Sequence, residues 1–172
     1  MKLISLALFS LWLTSVNAHT YVWSVWLNGV DQGSGVGIRK PAYNGPPSTG
    51  FNNGPVRDLN SIDMRCNVLG DIPDANTIKV QPNDVVTFEW HHNNRTSADD
   101  IIASSTKAPV WCTFPQTLPP TPVGYVKIQE EGEGPPGTWY VTGKNTDRQG
   151  KQDVQIPAGL VPGQYLLRAE FL

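Results

Sequence analysis

The apolar residues of this chain fall into short runs that alternate with polar ones and are separated by Gly, Pro, Asn and Asp. Tyr21 to Leu27 is rich in aromatic and β-branched residues and ends at Asn28-Gly29, a dipeptide suited to a two-residue hairpin turn. Ile78-Lys79-Val80, then Gln81-Pro82-Asn83-Asp84, then Val85 to Trp90 read as strand, turn and strand. In the second of these, Val86, Phe88 and Trp90 share one face while Val85, Thr87 and Glu89 share the other, the pattern of a half-buried strand. Gly124 to Gln129 and Thr138 to Thr142 are predicted strands around the turn at Gly132 to Gly137. Pro162-Gly163 leads into a last one, Gln164 to Leu172. No stretch carries a helical stripe longer than two turns. The expected fold class is all-β: an immunoglobulin-like antiparallel β-sandwich of about seven or eight strands if complete.

The one longer apolar run, Leu3 to Leu13, follows the positive start Met1-Lys2 and precedes the small-residue site Val16-Asn17-Ala18. That is the anatomy of a signal peptide over residues 1–18, and the run is shorter than the roughly 20 apolar residues that span a bilayer. Cleavage after Ala18 leaves residues 19–172 as one domain and makes His19 the first residue. A secreted, extracellular protein is expected. The 16 glycines and 15 prolines are spread along the chain, as short strands joined by turns require.

Net charge is −2, one unit more negative once Lys2 is removed, with no basic cluster. Nucleic acid and anionic membrane are therefore poor partners. Two cysteines, Cys66 and Cys112, could form one disulfide in an oxidising compartment. Such a bridge contributes about 4 kcal/mol on the chain-entropy model. A thiolate site and two unpaired thiols are the alternatives. Asn94-Arg95-Thr96 is an N-glycosylation sequon, which belongs on a surface loop if used.

Several short motifs follow one another in order. They are His19 directly after the cleavage site, Val30-Asp31-Gln32-Gly33, Arg39-Lys40-Pro41-Ala42-Tyr43-Asn44-Gly45-Pro46, Ser61-Ile62-Asp63-Met64-Arg65-Cys66-Asn67 and Val86-Thr87-Phe88-Glu89-Trp90-His91-His92. Ala103 to Val110, Lys127-Ile128-Gln129-Glu130, and Ile156-Pro157 through Pro162 to Glu170 complete the series. Together they resemble the fungal lytic polysaccharide monooxygenases of auxiliary activity family 9, formerly glycoside hydrolase family 61, over nearly all of residues 19–172.

The resemblance implies a copper cofactor held by a histidine brace, with His19 offering its α-amino group and ring Nδ1 as metal ligands. Amine and imidazole suit copper, and an α-amino group with a pKa near 8 yields its proton readily to a metal. It further implies oxidative cleavage of cellulose or a related polysaccharide with an external electron donor, by a monomer. The family's second brace histidine aligns with Thr106 in Ser105-Thr106-Lys107-Ala108-Pro109, and a threonine hydroxyl is a poor copper ligand. The family also continues past the Leu166-Leu167-Arg168-Ala169-Glu170 strand with further site residues and a cysteine that pairs with the position of Cys66. The sandwich is accordingly expected to lack its C-terminal part, and a substitute bridge from Cys66 to Cys112 is open.

His91 and His92 are neighbours on one strand, so at most one faces the copper position. A surface or core-edge role is favoured over a compensating ligand. The aromatics Trp23, Trp26, Trp90, Trp111, Tyr125 and Trp139 read as core before sugar platform. Glu130, Glu131 and Glu133 read as a solvated turn before a hydrolase pair. The function expected is a secreted, copper-dependent, cellulose-active monooxygenase-family protein with impaired activity. The alternatives are a non-catalytic extracellular polysaccharide-binding sandwich and a degenerate fragment.

Overall fold

The computed structural model describes residues 19–41, 53–70, 72–96, 101–102, 110–115, 125–140, 143, 146 and 148–171, with backbone alone at 110–115 and 125. The expected signal peptide, Thr106 and the segment around it lie outside the described residues. Seven strands occur among the described residues: β1 (Tyr21–Leu27), β2 (Val30–Ser34), β3 (Val85–His91), β4 (Val110–Pro115), β5 (Tyr125–Glu131), β6 (Lys151–Gln155) and β7 (Arg168–Phe171). They form two antiparallel sheets, β2-β1-β3-β6 and β5-β4-β7. This is the all-β sandwich that the alternation predicts.

The β1–β2 hairpin turns at Asn28 and Gly29, both at positive φ (49° and 81°), as a turn matched to the strand twist requires. Asn28 also fastens the turn to β3. Its Nδ2 donates to Asp84 Oδ1 at 2.8 Å and its Oδ1 accepts from Val85 N–H at 2.9 Å. Further along, β1 bulges: Val22 pairs with Trp90 but Ser24 pairs with Glu89. The extra residue lets Val22 and Val25 both reach the core, while Trp23 turns toward His91 on the opposite face, with ring centres 5.9 Å apart.

Between the sheets lies a core of Val25, Val86, Phe88, Trp90, Val154 and Ile156, with Ile128, Ala169 and Phe171 packed against it from the second sheet. The Trp90 and Phe171 rings meet at 4.4 Å. A one-turn 3-10 helix, Ile62–Arg65, is capped by Ser61, whose hydroxyl accepts from Asp63 N–H at 3.1 Å. Arg168 at the start of β7 donates to the carbonyls of Met64 and Arg65 and ties this turn to the second sheet.

Four expectations need correcting. Strand β3 is not half-buried: Thr87, Glu89 and His91 are as buried as Val86, Phe88 and Trp90, because side chains from β1, β6 and the loop after β3 close over its outer face. Ile78–Val80 joins no ladder; Ile78 instead packs against the core. Thr138–Trp139 forms only a single bridge, Glu133 to Trp139, since the Pro135-Pro136-Gly137 turn consumes the neighbouring pairing groups. Residues 141–142 are outside the described set. The last strand is confined to Arg168–Phe171.

Strand β6 has no counterpart in the sequence reading. Its inward positions are Gln152 and Val154, so the apolar alternation is broken by a buried glutamine that meets the Trp90 indole N–H at 3.4 Å. Gly150 immediately precedes this strand at φ +78°, and a Cβ there would lie 2.4 Å from the Trp90 carbonyl oxygen. The Gly150 carbonyl in turn accepts from Trp90 N–H at 2.9 Å. Gly150→Ala is therefore expected to cost about 2 kcal/mol or more, from left-handed backbone cost plus steric overlap. In urea unfolding the midpoint should fall with an unchanged m-value.

Candidate functional site

The chain's histidines are His19, His91 and His92, and the sheet brings them to one end. Because β1 and β3 are antiparallel with Tyr21 opposite His91, the start of β1 lies beside the end of β3. The His19 and His92 rings meet edge to face with centres 6.3 Å apart. His91 turns the other way, into the outer face of the first sheet, where its Nε2 lies 2.8 Å from Glu89 Oε1. The pair thus divides between two faces, as strand geometry demands.

The approach to His19 is anchored by its successor. Thr20 N–H donates to the Asn53 carbonyl at 3.2 Å. Its hydroxyl faces the carbonyls of His91 and Ile101 at 3.1 and 2.9 Å. The Tyr21 hydroxyl donates to the Asn93 carbonyl at 3.1 Å. Asn53, 7% exposed, sends its Nδ2 to the His92 carbonyl at 2.7 Å and to Asn93 Oδ1 at 3.2 Å. Three chain segments are thereby pinned around two half-buried imidazoles.

As a metal site the arrangement is incomplete in side chains. Among the described residues no three His, Cys, Asp or Glu side chains are gathered as a metal would need. The donor chemistry of His19 fits a two-nitrogen chelate once its α-amino group is freed. A three-nitrogen set would need a further imidazole; among the described residues it is His92 whose ring stands beside that of His19. Cys66 is half-buried after the 3-10 turn, and Cys112 lies on β4 with its side chain outside the described residues.

Behind His91 lies a charged cluster that the sequence reading did not assign. Glu89, 4% exposed, accepts from Trp26 Nε1 at 2.6 Å, from His91, and from Arg95 through Nε at 2.8 Å and Nη2 at 2.6 Å. The other arm of Arg95 pairs with Asp31 Oδ2 at 2.8 Å. Asp31 also accepts from the Ser24 hydroxyl and from Gly33 N–H. Burial raises the pKa of both carboxyls, but these donors outweigh it. Asp31 falls from 3.8 to about 2, and Glu89 is held below its ordinary value by Arg95, His91 and Trp26. Both are therefore ionised at neutral pH.

The aromatics divide differently from the expectation. Trp90 is core, whereas Trp23 and Trp26 are half-buried on the outer face, where Lys151 Nζ sits 3.9 Å from the Trp26 ring centre. The reason is the cluster itself, because the Trp26 N–H is required by Glu89. Trp111 and Tyr125 have side chains outside the described residues. Glu130 and Glu133 are exposed and Glu131 half-exposed, with Glu130 paired to Lys127. Asn94 and Thr96 of the sequon are exposed on the loop after β3.

An antiparallel β-sandwich that presents an anchored histidine pair at one end of a sheet, with a buried ion cluster behind it, is the class that fold and site define. The model of Auxiliary Activity family 9 (formerly GH61) matches residues 19–172. An AA9 family lytic polysaccharide monooxygenase A of Aspergillus fumigatus is 44% identical over 158 residues, covering 91% of this chain and 43% of that protein. The AA9 family lytic polysaccharide monooxygenase B of Emericella nidulans is 41% identical over 162 residues, covering 91% and 42%. The solved structure of CvAA9A superposes with a TM-score of 0.73 at 35% identity, over 88% of this chain and 64% of that one. The chain belongs to Auxiliary Activity family 9. It spans less than half the length of these curated relatives.

The ion cluster makes a prediction of its own. Arg95→Met removes two hydrogen bonds from buried Glu89 and should destabilise the fold by about 1–3 kcal/mol, the range for hydrogen bonds to charged groups, given that Arg95 itself is partly solvated. Both carboxyls have lowered folded-state values, so their contribution is complete above the ordinary carboxylate range and is lost as pH falls; for Asp31 this spans about pH 4 to 2. The acid-unfolding midpoint of Arg95→Met, followed by circular dichroism, should therefore move to higher pH than that of the parent.

Proposed function

We propose that this chain is a secreted, copper-binding member of the polysaccharide-oxidising family, with His19 as its metal ligand through the α-amino group and ring. Removal of residues 1–18 on export frees that amine. The observation that carries the reading is that the family match begins at His19, the same residue that the cleavage site leaves first and that Thr20 anchors beside His92. Copper, when bound, supplies the redox chemistry that activates oxygen or peroxide toward a carbon beside a glycosidic bond. The protein's own contribution is to hold His19 on a rigid strand at the end of a sheet.

Cellulose or a related polysaccharide is the proposed substrate and an external reductant the electron source, with the chain acting as a monomer without nucleic acid or membrane. Activity is impaired, because Thr106 offers a protonated hydroxyl where a second imidazole is needed. A second reading, a metal-free polysaccharide-binding sandwich, is favoured by the small number of ligating side chains gathered at the site among the described residues. Retention of the metal-free protein on cellulose without reductant would support it.

Copper titration followed by EPR, with ascorbate-dependent release of oxidised oligosaccharides from cellulose, tests the proposal. The expected result is one cupric ion with two nitrogen ligands, abolished by His19→Ala, and an affinity more than 100-fold below that of a complete brace. Thr106→His should raise affinity by at least tenfold and increase product release. A three-nitrogen signal with full activity in the unmodified chain would overturn the proposed impairment. Processing anywhere other than between Ala18 and His19 would overturn the metal assignment itself.

A further inference from the structure

His92 stands beside His19, so it is the obvious replacement for a missing copper imidazole. Its hydrogen bonds argue otherwise, through a chain of amides that can be oriented in one direction only. The chain starts at the His92 backbone carbonyl, which can only accept. Asn53 lies 2.7 Å from it and must therefore present its Nδ2. The same Nδ2 lies 3.2 Å from the Asn93 side chain, which must then present Oδ1. With its oxygen so committed, Asn93 turns its own Nδ2 toward His92 Nδ1 at 3.0 Å. Both protons on that nitrogen are donors and it has no lone pair to offer. His92 Nδ1 must accept.

We propose that Asn53 and Asn93 form a one-way relay that holds the proton of neutral His92 on Nε2, making the ring a hydrogen-bond donor and not a second copper-binding imidazole. Each ring nitrogen is then committed, Nδ1 by the Asn93 amide and Nε2 by its proton. To ligate a metal, the ring would have to move its proton to Nδ1, where it would face an amide N–H. Asn53 is the origin of this order. It is buried, its orientation is dictated by the backbone, and its own carbonyl holds Thr20 N–H. One residue thus positions the start of β1 and sets the tautomer of the neighbouring ring. The consequence for copper rests on the function proposed above; the position of the proton does not.

Long-range proton–nitrogen NMR on the 15N-labelled, metal-free chain tests the relay, at a pH well above the ordinary imidazole value near 6.5. His92 is expected to give the Nε2–H pattern, with a preference of about tenfold or more from the Asn93 bond. Asn93→Asp replaces the donor with an acceptor while keeping the bond from Asn53, and should invert the pattern to Nδ1–H. Asn53→Asp should do the same from the other end, since a carboxylate at 53 draws the Asn93 NH2 toward itself and turns its oxygen to His92. A role confined to stability would lower the melting temperature without inverting a tautomer. An Nδ1–H pattern in the parent, or an Nε2–H pattern retained in either folded variant, would overturn the relay.

Copper separates the two readings. In the parent, His92→Ala is expected to leave the nitrogen hyperfine structure of the bound cupric ion unchanged. In Asn93→Asp, whose His92 Nε2 regains a lone pair, one further nitrogen and at least a tenfold gain in affinity are expected. A parent spectrum that loses a nitrogen on His92→Ala overturns the relay's consequence for copper. A chain that takes up no cupric ion overturns the proposed function, and the NMR result then still decides the relay.

Discussion

The Glu89 carboxylate is the group around which one face of this sandwich is organised. An isolated buried carboxylate costs several kcal/mol even after relaxation, so its position in mid-strand is tenable only if donors converge on it. Trp26 comes from the neighbouring strand and His91 from two residues along the same one. Arg95 comes from the loop beyond. The last of these has a geometric consequence. To reach back over six residues, the chain after β3 must fold down onto the sheet, and this brings Asn93 within reach of Tyr21 and Asn53. A charge requirement on the outer face therefore determines where the loop carrying His92 lies, and with it the neighbourhood of His19.

Much of the fold was legible because its strands obey simple rules. The Asn28-Gly29 turn needs positive φ at both residues and has it, and Val86, Phe88 and Trp90 keep the period of two that a core strand demands. What escaped did so for identifiable reasons. Strand β6 hides behind Gln152, whose burial is satisfied by an indole N–H and so violates the equation of polar with exposed. Ile78 and Val80 resemble a strand in composition, yet the alternation of apolar residues describes what a side chain packs against, not whether its backbone finds a ladder. The Pro-rich turn before Trp139 shortens pairing in a way that strand propensity alone does not register.

The site was legible in a different measure. His19 stands out by its place after the small-residue stretch Val16-Asn17-Ala18, and the match to the family model begins at that residue. His92 carried no such mark, because its proximity to His19 depends on the antiparallel register of β1 and β3, which a single sequence does not state. Glu89, Arg95 and Asp31 lie within or beside recognisable motifs, but a motif names residues without their partners. Thr87, Glu89 and His91 alternate with Val86, Phe88 and Trp90, a pattern that reads equally well as a solvated outer face; only the closure of Trp26 and Arg95 over Glu89 buries it.

The bonds that hold the histidines in place are independent of any metal. Thr20 is secured by three backbone carbonyls, Asn53 by the His92 carbonyl and the Asn93 amide, and Glu89 by three side chains. None of these groups is a ligand that copper would displace. In a protein whose metal site also closes its fold, loss of one ligand removes folding energy together with chemistry. Here the two are separable. Among the described residues the neighbourhood of His19 is held by backbone carbonyls and side-chain amides, so a change at the His19 imidazole itself would alter donor chemistry with little loss of folding energy.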